Sequence, residues 1–243
     1  MHWTASTSGV SGRGADQFGS GAVFAYNAAS DTFTVTPPGG SSTTFVAADF
    51  QSAPSNATTR VFANAAGQLT LSYPTIAGVP LSYTQTAFFS ASSGSSSSSW
   101  FAVGGVPTVA GDMPRTGSAT YTAETGANVV APAAGAGNAV YATTTGTSAT
   151  FSANFGSGTV ATSVHLVAAQ SGIASAPATD FGTFTGTGTI SSSGPGFSGT
   201  FAGTTGAGFS GAFFGPQAAE AAYTYNFVSG SMEAFGATRA VKP

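Results

Sequence analysis

Side chains that could carry acid–base or metal chemistry are few in this sequence, and they are scattered. The histidines are His2 and His165, and the acidic residues stand singly as Asp16, Asp31, Asp49, Asp112, Glu124, Asp180, Glu220 and Glu233. Catalysis needs several such groups at one reacting centre. The sequence contains no nucleophile elbow, paired-histidine metal motif, phosphate-binding loop or calcium loop. We therefore predict no catalytic residues, no metal site and no enzymatic activity.

His165 is a candidate for binding rather than for catalysis. It lies in the strand-like segment Thr159–Ala168. The more apolar of the two alternating sets in this segment consists of Val160, Thr162, Val164 and Leu166. Because successive residues of a strand point to opposite faces, we expect that set inside and His165 outside or near a rim. His165 is then either an ordinary surface histidine or a ligand to haem iron or another metal, which neutral imidazole suits.

The remaining binding candidates are one histidine and a group of aromatic residues. His2 is either a mobile tail or tag remnant, or a terminal metal ligand. The side chains of Tyr26, Tyr73, Tyr83 and Trp100 could line a flat apolar ligand such as haem. Aromatic residues of β proteins are more often part of the core, so both interpretations stay open at these positions.

The scarcity of charge excludes two classes of partner. Only 13 of the 243 residues are charged, 5 basic and 8 acidic, which gives a net charge of −3. Such a surface lacks the clustered lysines and arginines that hold a phosphate backbone or an anionic membrane. We therefore predict that neither nucleic acid nor anionic lipid is a main partner.

The apolar composition predicts an all-β protein. The chain has 20 Phe and 7 Tyr but 4 Leu and 3 Met. Aromatic residues favour strands, whereas Leu and Met favour helices. The aromatic content and the low net charge also argue against disorder. The sequence therefore predicts a Phe-rich core under a Ser/Thr-rich surface.

The N-terminal part, residues 1–115, predicts moderately long strands with ordinary turns between them. The segments are Ala22–Tyr26, Thr32–Thr36, Thr44–Phe50, Thr59–Ala63, Leu69–Tyr73 and Leu81–Phe89. Residues 90–99 are almost pure Ser, which predicts a mobile loop.

The C-terminal part, residues 116–243, has strand-like segments that recur at short, regular spacing with Gly-containing turns. They are Ser118–Ala123, Ala139–Thr144, Ser148–Phe155, Thr159–Ala168, Phe181–Ile190, Phe197–Thr204, Phe209–Phe214, Tyr223–Val228 and Met232–Thr238. Such spacing predicts an antiparallel meander that closes into a barrel. The near-copies Gly196–Phe201 and Gly208–Phe213 predict adjacent strands with their Phe residues on one face. Since few charged residues could line a water-filled lumen, we predict a soluble barrel with Phe inside.

The sequence offers little on the compartment. It has no Cys and no apolar run long enough to span a membrane. Its first residues, Met1–Thr4, do not have the pattern of a signal peptide. The uncharged surface favours an exported protein whose leader is missing from this chain, and we expect it at the cell surface or secreted.

Four segments resemble the barrel domain of transferrin-binding protein B-like surface lipoproteins. They are Val103–Thr108, Asp112–Tyr121, Phe209–Glu220 and Glu233–Gly236. The resemblance covers about residues 80–240, and its most specific motif consists of Gly211, Phe213, Gly215, Pro216 and Glu220. Phe214 stands where the family usually has Tyr, and Ala221 and Ala222 stand where Gly is common. We assign this motif a structural role: Gly215 and Pro216 end one strand, and Glu220 begins the next, where its carboxylate accepts backbone N–H groups.

The resemblance implies a β-rich handle domain, residues 1–115, followed by a soluble eight-stranded antiparallel β-barrel, residues 116–243. It also implies a non-enzymatic surface or secreted protein of a Gram-negative bacterium. Such a protein would capture a nutrient, either haem or a host metal-carrier protein, for a TonB-dependent outer-membrane receptor. We assign no cofactor, and haem is the candidate that the resemblance offers. The alternative is a structural or accessory surface subunit that assembles through β-strand edges.

Overall fold

The computed structural model describes residues 2–6, 9–14, 16, 20–73, 75–93, 96–133 and 137–243. The strands of the handle are β1 (His2–Ser6), β2 (Gly9–Gly14), β3 (Val23–Asn27), β4 (Thr32–Thr36), β5 (Thr43–Phe45), β6 (Thr59–Asn64), β7 (Gly67–Ser72), β8 (Thr75–Ile76), β9 (Val79–Pro80), β10 (Thr84–Ser93) and β11 (Ser96–Gly105). The strands of the barrel are β12 (Ser118–Pro132), β13 (Asn138–Thr143), β14 (Ser148–Asn154), β15 (Thr159–Gln170), β16 (Ala178–Ile190), β17 (Gly196–Phe201), β18 (Thr205–Phe214), β19 (Glu220–Ser229) and β20 (Met232–Val241). This high content of β-strands confirms the predicted all-β class.

The handle is built on a six-stranded antiparallel sheet in the order β2-β1-β11-β10-β7-β6. Strands β3, β4 and β5 form a second sheet of three strands. Apolar residues of the two sheets meet in one core formed by Phe33, Val35, Phe45, Phe62, Leu69, Leu71, Ala87 and Phe89. The alternation of Phe33 and Val35 with threonines in β4, which the sequence shows, corresponds to this buried face.

Two predictions in the handle are wrong. The Ser-rich segment 90–99 is not a loop, because Ser90–Ser93 end β10 and Ser96–Ser99 begin β11, with Ser90 opposite Ser99. Residues 94 and 95 lie outside the described residues. Strand pairing uses backbone groups, so a strand between two partners, β1 and β10, forms without hydropathic alternation.

The strand predicted over Thr44–Phe50 ends at Phe45, and a 3₁₀ turn follows at Ala47–Asp49. The Asp49 carboxylate accepts the N–H of Val46 at 2.9 Å. A local bond of this kind offers the backbone an alternative to the sheet.

The barrel closes through β20, which pairs with both β19 and β12. Strands β13 and β14 each pair with β12 on one side and with β15 on the other. They therefore share one strand position in the barrel wall, so that nine strands form an eight-stranded barrel. Between them, Thr144 N–H and the Thr147 hydroxyl both donate to the carbonyl of Val167, at 2.9 and 2.7 Å. The predicted eight-stranded antiparallel barrel is confirmed.

Aromatic rings fill the barrel interior, as the sequence predicts. The buried rings are those of Tyr121, Phe151, Phe155, Phe184, Phe197, Phe201, Phe209, Phe213, Tyr223, Tyr225 and Phe227. The two near-copies lie in adjacent strands, with Phe197 opposite Gly211 and Phe209 opposite Gly199. The ring centroids of Phe197 and Phe213 are 5.0 Å apart. The residues Phe197 and Phe209 thus each lie beside a glycine of the neighbouring strand.

The handle covers the outer face of β18, β19 and β20. Outward residues Ala212, Phe214 and Ala222 of the barrel pack against Tyr83 and Val103 of the handle. This contact explains why Phe214, although it points away from the barrel interior, is fully buried. The division into domains at residue 115 remains a prediction, with residues 106–117 lying between the two main sheets.

Across the described residues, the two short helical turns fall far short of the length and apolar character that a membrane-spanning helix requires.

Candidate functional site

The segments that carry the family resemblance meet where the handle joins the barrel. Gly215 N–H donates to the carbonyl of Val106 at 2.9 Å, and Thr108 N–H donates to that of Phe213 at 3.0 Å. The Thr108 hydroxyl donates to the carbonyl of Gly215 at 2.7 Å. Residues 106–108 therefore pair with the end of β18 before the chain enters the barrel.

Gly215 has a steric reason to be glycine. Its φ of +71° lies in the left-handed region, which costs a non-glycine residue energy. A Cβ at this position would also lie 2.4 Å from Cδ2 of Tyr83. Gly215 thus lets the Tyr83 ring of the handle rest on the barrel turn.

Glu220 links the barrel to the handle. Its side chain is 3% exposed, and its carboxylate accepts the N–H of Ser82 at 2.7 Å and that of Tyr83 at 3.1 Å. Hydrogen bonds to an ionised acceptor are stronger than neutral ones. The predicted role of Glu220 as an acceptor of backbone N–H groups is confirmed, and both donors belong to the handle.

Charged and polar side chains also hold the turn at Pro216–Ala218. Gln217, with φ +49°, donates its N–H to the Asp112 carboxylate at 2.8 Å. The Lys242 ammonium donates to the carbonyl of Gln217 at 2.7 Å, and the Tyr121 hydroxyl donates to that of Ala218 at 2.8 Å. The left-handed backbone at this turn is therefore fixed from three directions.

A cleft of about 630 Å³ lies between the handle and the barrel. Its walls include β3, the start of β10, the end of β11 and the outer face of β18 and β19. Three of the tyrosines that the sequence singled out, Tyr26, Tyr73 and Tyr83, line it. Phe24, Phe101 and Phe214 add further rings to its walls, which the sequence did not single out.

An aromatic surface of the handle adjoins the mouth of this cleft. We define it as Tyr26, Phe50, Arg60 and Tyr73, with the buried ring of Phe33 beneath Tyr26 and Arg60. Tyr26 is 53% exposed, Phe50 40% and Tyr73 38%. The Tyr26 ring lies 4.7 Å from the ring of Phe33, and the Arg60 guanidinium lies 5.7 and 5.9 Å from the rings of Phe33 and Phe50.

The Arg60 cation of this surface lies over the faces of the Phe33 and Phe50 rings. Cation–π contacts of this kind are favourable, and Arg and aromatic residues are common at binding interfaces. The Tyr26 hydroxyl donates to the Asp31 carboxylate at 3.0 Å. This bond, which favours the protonated phenol, raises the pKa of Tyr26. The sequence signal for this surface is weak: Arg60 is an isolated cation in a strand, Thr59–Asn64, that also contains Val61 and Phe62.

His165 and Trp100 lie apart from the cleft. His165 is on the outer face of the barrel, as predicted, with Nε2 3.0 Å from Oδ1 of Asp180. The N–H of Gly182 and this imidazole both lower the pKa of Asp180. Trp100 is half-buried and stacks on Phe89 of the handle core at 5.5 Å, so it does not line the cleft.

The backbone of His2 pairs opposite Trp100 in the handle sheet, and its side chain lies outside the described part of the chain. In the part that is described, no group of three or more His, Asp and Glu side chains is arranged to hold a metal ion.

Residues 113–242 match the family model of the C-lobe and N-lobe β-barrels of transferrin-binding protein B. Among solved structures, a double mutant of transferrin-binding protein B from Haemophilus parasuis aligns with 100% of this chain and 44% of its own, at 18% identity and a TM-score of 0.53. Isotype 1 transferrin-binding protein B from serogroup B Neisseria meningitidis aligns with 100% of this chain and 43% of its own, at 16% identity and a TM-score of 0.51. No curated protein sequence matches significantly.

The chain spans less than half the length of these transferrin-binding proteins, and the likeness to them shows a common fold. The family match begins at Met113, inside the second of the four segments that carry the resemblance in the sequence. Because this match extends over more than half of the chain, the chain belongs to the transferrin-binding protein B-like surface lipoprotein family.

Proposed function

We propose that this chain is a non-enzymatic binding protein that captures a nutrient outside the cell. It acts at the surface of a Gram-negative bacterium, or is released, and delivers its cargo to an outer-membrane receptor. The observation that carries this proposal is the exposed aromatic surface of the handle, displayed beside a barrel of this family. The barrel interior, filled by aromatic rings, serves as a rigid support.

The favoured cargo is a host metal-carrier protein. The two solved proteins above are named for binding transferrin, and a related role for this chain fits its surface chemistry. Tyr, Phe and Arg dominate binding energy at protein interfaces, and the aromatic surface consists of these residue types. With 13 charges on the whole chain, an interface built mainly on ion pairs is disfavoured.

Haem is the second candidate cargo. Tyrosine phenolate is a known axial ligand of haem iron, and three tyrosines line the cleft between handle and barrel. His165, which the sequence offered as a ligand, lies on another face and pairs with Asp180. A haem site in this chain would therefore use tyrosine.

Binding measurements test this proposal. The purified chain is immobilised and exposed to iron-loaded transferrin and to haemoglobin, and haemin is titrated into the chain while absorbance is recorded. We expect saturable binding of a carrier protein, or a sharp ligated haem spectrum from a monomer. A folded chain that binds none of these three would overturn the proposal.

The alternative, a structural subunit that assembles through strand edges, is favoured by one observation. Strand β2 forms the outer end of the six-stranded handle sheet and pairs with β1. A strand at a sheet edge can pair with another chain. Light scattering separates the two functions, because assembly that grows with concentration, without any carrier or haem bound, supports the structural role.

A further inference from the structure

We propose that the cleft between handle and barrel is a binding site for a neutral, elongated amphipathic molecule such as a long-chain alcohol. This site is distinct from the capture of a carrier protein by the aromatic surface, and neither proposal depends on the other. Tyr26 and Tyr73 contribute to both, because they lie at the mouth of the cleft.

The size and position of the cleft fit a small ligand. Ligand pockets typically enclose about 300–1,000 Å³ and occur preferentially where two packed units meet. The cleft of about 630 Å³ lies between the two main sheets of the chain. Its handle wall includes the part of β11 beyond Trp100, where the pairing with β1 ends.

The walls are apolar with a few hydroxyl groups among them. Phe24 and Phe101 stand on the handle side, and Phe214 stands on the barrel side. Ser210 and Thr224, which are opposite each other in β18 and β19, add buried hydroxyls. Pockets of this type bind the apolar body of a ligand by contact and orient it through the polar groups.

Thr84 supplies the most specific feature of the wall. It is 3% exposed, and its Oγ1 is buried without a hydrogen-bond partner among the described residues. A buried hydroxyl without a partner is unfavourable. A rotation of the Thr84 side chain would bring this closed-off hydroxyl to the cleft, where the hydroxyl of a ligand would satisfy it, which favours an alcohol over a pure hydrocarbon.

The charge of the lining selects against anions. Among the described residues that line the cleft there is no Lys, Arg or His, and the carboxylic acid present is Asp16. An anionic head group would be buried without a counter-charge, at a high cost in free energy. Fatty-acid carboxylates are therefore poor ligands for the interior of this cleft, and haem would fit it only with its propionates in solvent.

Two glycines provide a matched pair of variants. A Cβ at Gly104, in the wall of the cleft, would meet no atom within 4 Å, and the same holds for Gly111, outside the cleft. Neither glycine has a positive φ, so both accept a larger residue. Gly104→Leu adds a side chain to the wall of the cleft from a Cβ position that is free of contacts, and Gly111→Leu controls for the added apolar surface.

The test uses N-phenyl-1-naphthylamine, a neutral apolar dye that fluoresces when it leaves water, with the full chain. We expect saturable fluorescence, displaced by 1-dodecanol but not by dodecanoate. Gly104→Leu should weaken dye binding about tenfold or more, whereas Gly111→Leu should leave it unchanged. Thr84→Val, which keeps the shape of the side chain, should weaken competition by the alcohol several-fold.

Three results would overturn the inference: no saturable signal from the folded chain, equal signals from the two glycine variants, or displacement by the alcohol and the carboxylate alike. Carrier-protein binding is measured in parallel on the same variants. Because Gly104 lies outside the aromatic surface, a loss of dye binding with intact carrier binding separates the two sites.

Discussion

At the residue scale, the charged side chains of the barrel motifs serve the junction between handle and barrel. Glu220 accepts two backbone N–H groups from the handle, and Asp112 and Lys242 hold the turn that precedes it. The sequence predicted a structural role for Glu220 as an N–H acceptor. It could not predict the donors, Ser82 and Tyr83, because they are 138 and 137 residues away along the chain.

Replacing Glu220 by Gln should destabilise the folded chain. The substitution removes the negative charge and directs an amide NH₂ at one of two N–H donors, so that one buried hydrogen bond is lost. We expect a loss of about 2 kcal/mol in the free energy of unfolding, measured by urea denaturation. Asp180→Asn is the control, because Asp180 is 63% exposed and solvent screens its pairing with His165. Equal effects of the two substitutions would contradict the role given to Glu220.

At the element scale, the strands of the barrel were the most predictable part of the chain. All nine predicted segments correspond to strands, because alternation and Gly-containing turns mark them. The sequence predicted neither the extension of β12 to Pro132 nor the shared strand position of β13 and β14 in the barrel wall. Both depend on pairing between residues far apart in sequence, which local patterns do not contain. The Ser-rich hairpin was missed for a different reason: its residues pair with near neighbours in sequence, but backbone pairing defines it and its side chains show no hydropathic alternation.

Close packing between strands gives a prediction at this scale. An added Cβ at Gly199 in β17 would lie 2.2 Å from the carbonyl oxygen of Thr187 and 2.4 Å from Cζ of Phe209. Gly199→Ala should therefore cost about 1–3 kcal/mol through overpacking. Gly194→Ala, where a Cβ meets no atom within 4 Å, should change stability little. Thermal melts of both variants measure the difference, and a fully stable Gly199→Ala chain would show that the interior is less tightly packed than described.

At the scale of the whole molecule, the buried tyrosines make stability depend on alkaline pH. Burial raises the pKa of Tyr223 from 10.0 to about 12, and it also raises the pKa values of Tyr121 and Tyr225. The neutral phenol is the form that the fold stabilises, so this contribution is complete below pH 10.0 and is lost as pH rises towards 12.

We therefore expect urea midpoints to be constant from neutral pH to about pH 9 and to fall steeply above pH 10. Phenolate absorbance should show the exposed tyrosines titrating first and these three titrating together with unfolding. The hydroxyls of Tyr121, Tyr223 and Tyr225 bond to the Ala218 carbonyl and to the hydroxyls of Thr162 and Thr125, so a Phe substitution also lowers stability at neutral pH, and the change with pH is compared within each variant. Tyr225→Phe alone should reduce the alkaline loss. A stability that does not change between pH 9 and pH 12 would contradict the burial of these groups.

The aromatic surface of the handle was only partly predictable. Tyr26 and Tyr73 stood out as aromatic residues of uncertain role, while Phe50 and Arg60 did not, because their proximity arises from the packing of separate segments. The structure shows what the few charged residues of this chain do. Several of the charged residues hold the junction, and the surface proposed for binding relies on aromatic rings with Arg60.

The most direct test of the central claim is to measure carrier binding by variants of the aromatic surface. Tyr26→Ser with Tyr73→Ser removes two exposed rings, and Val109→Ser, at a residue that is 69% exposed outside this surface, is the control. Interfacial aromatic residues often contribute about 2 kcal/mol or more each, so the double variant should bind the captured carrier at least tenfold more weakly with an unchanged melting temperature. The control should bind as the parent chain does. Equal affinity of the double variant, the control and the parent chain would contradict the account.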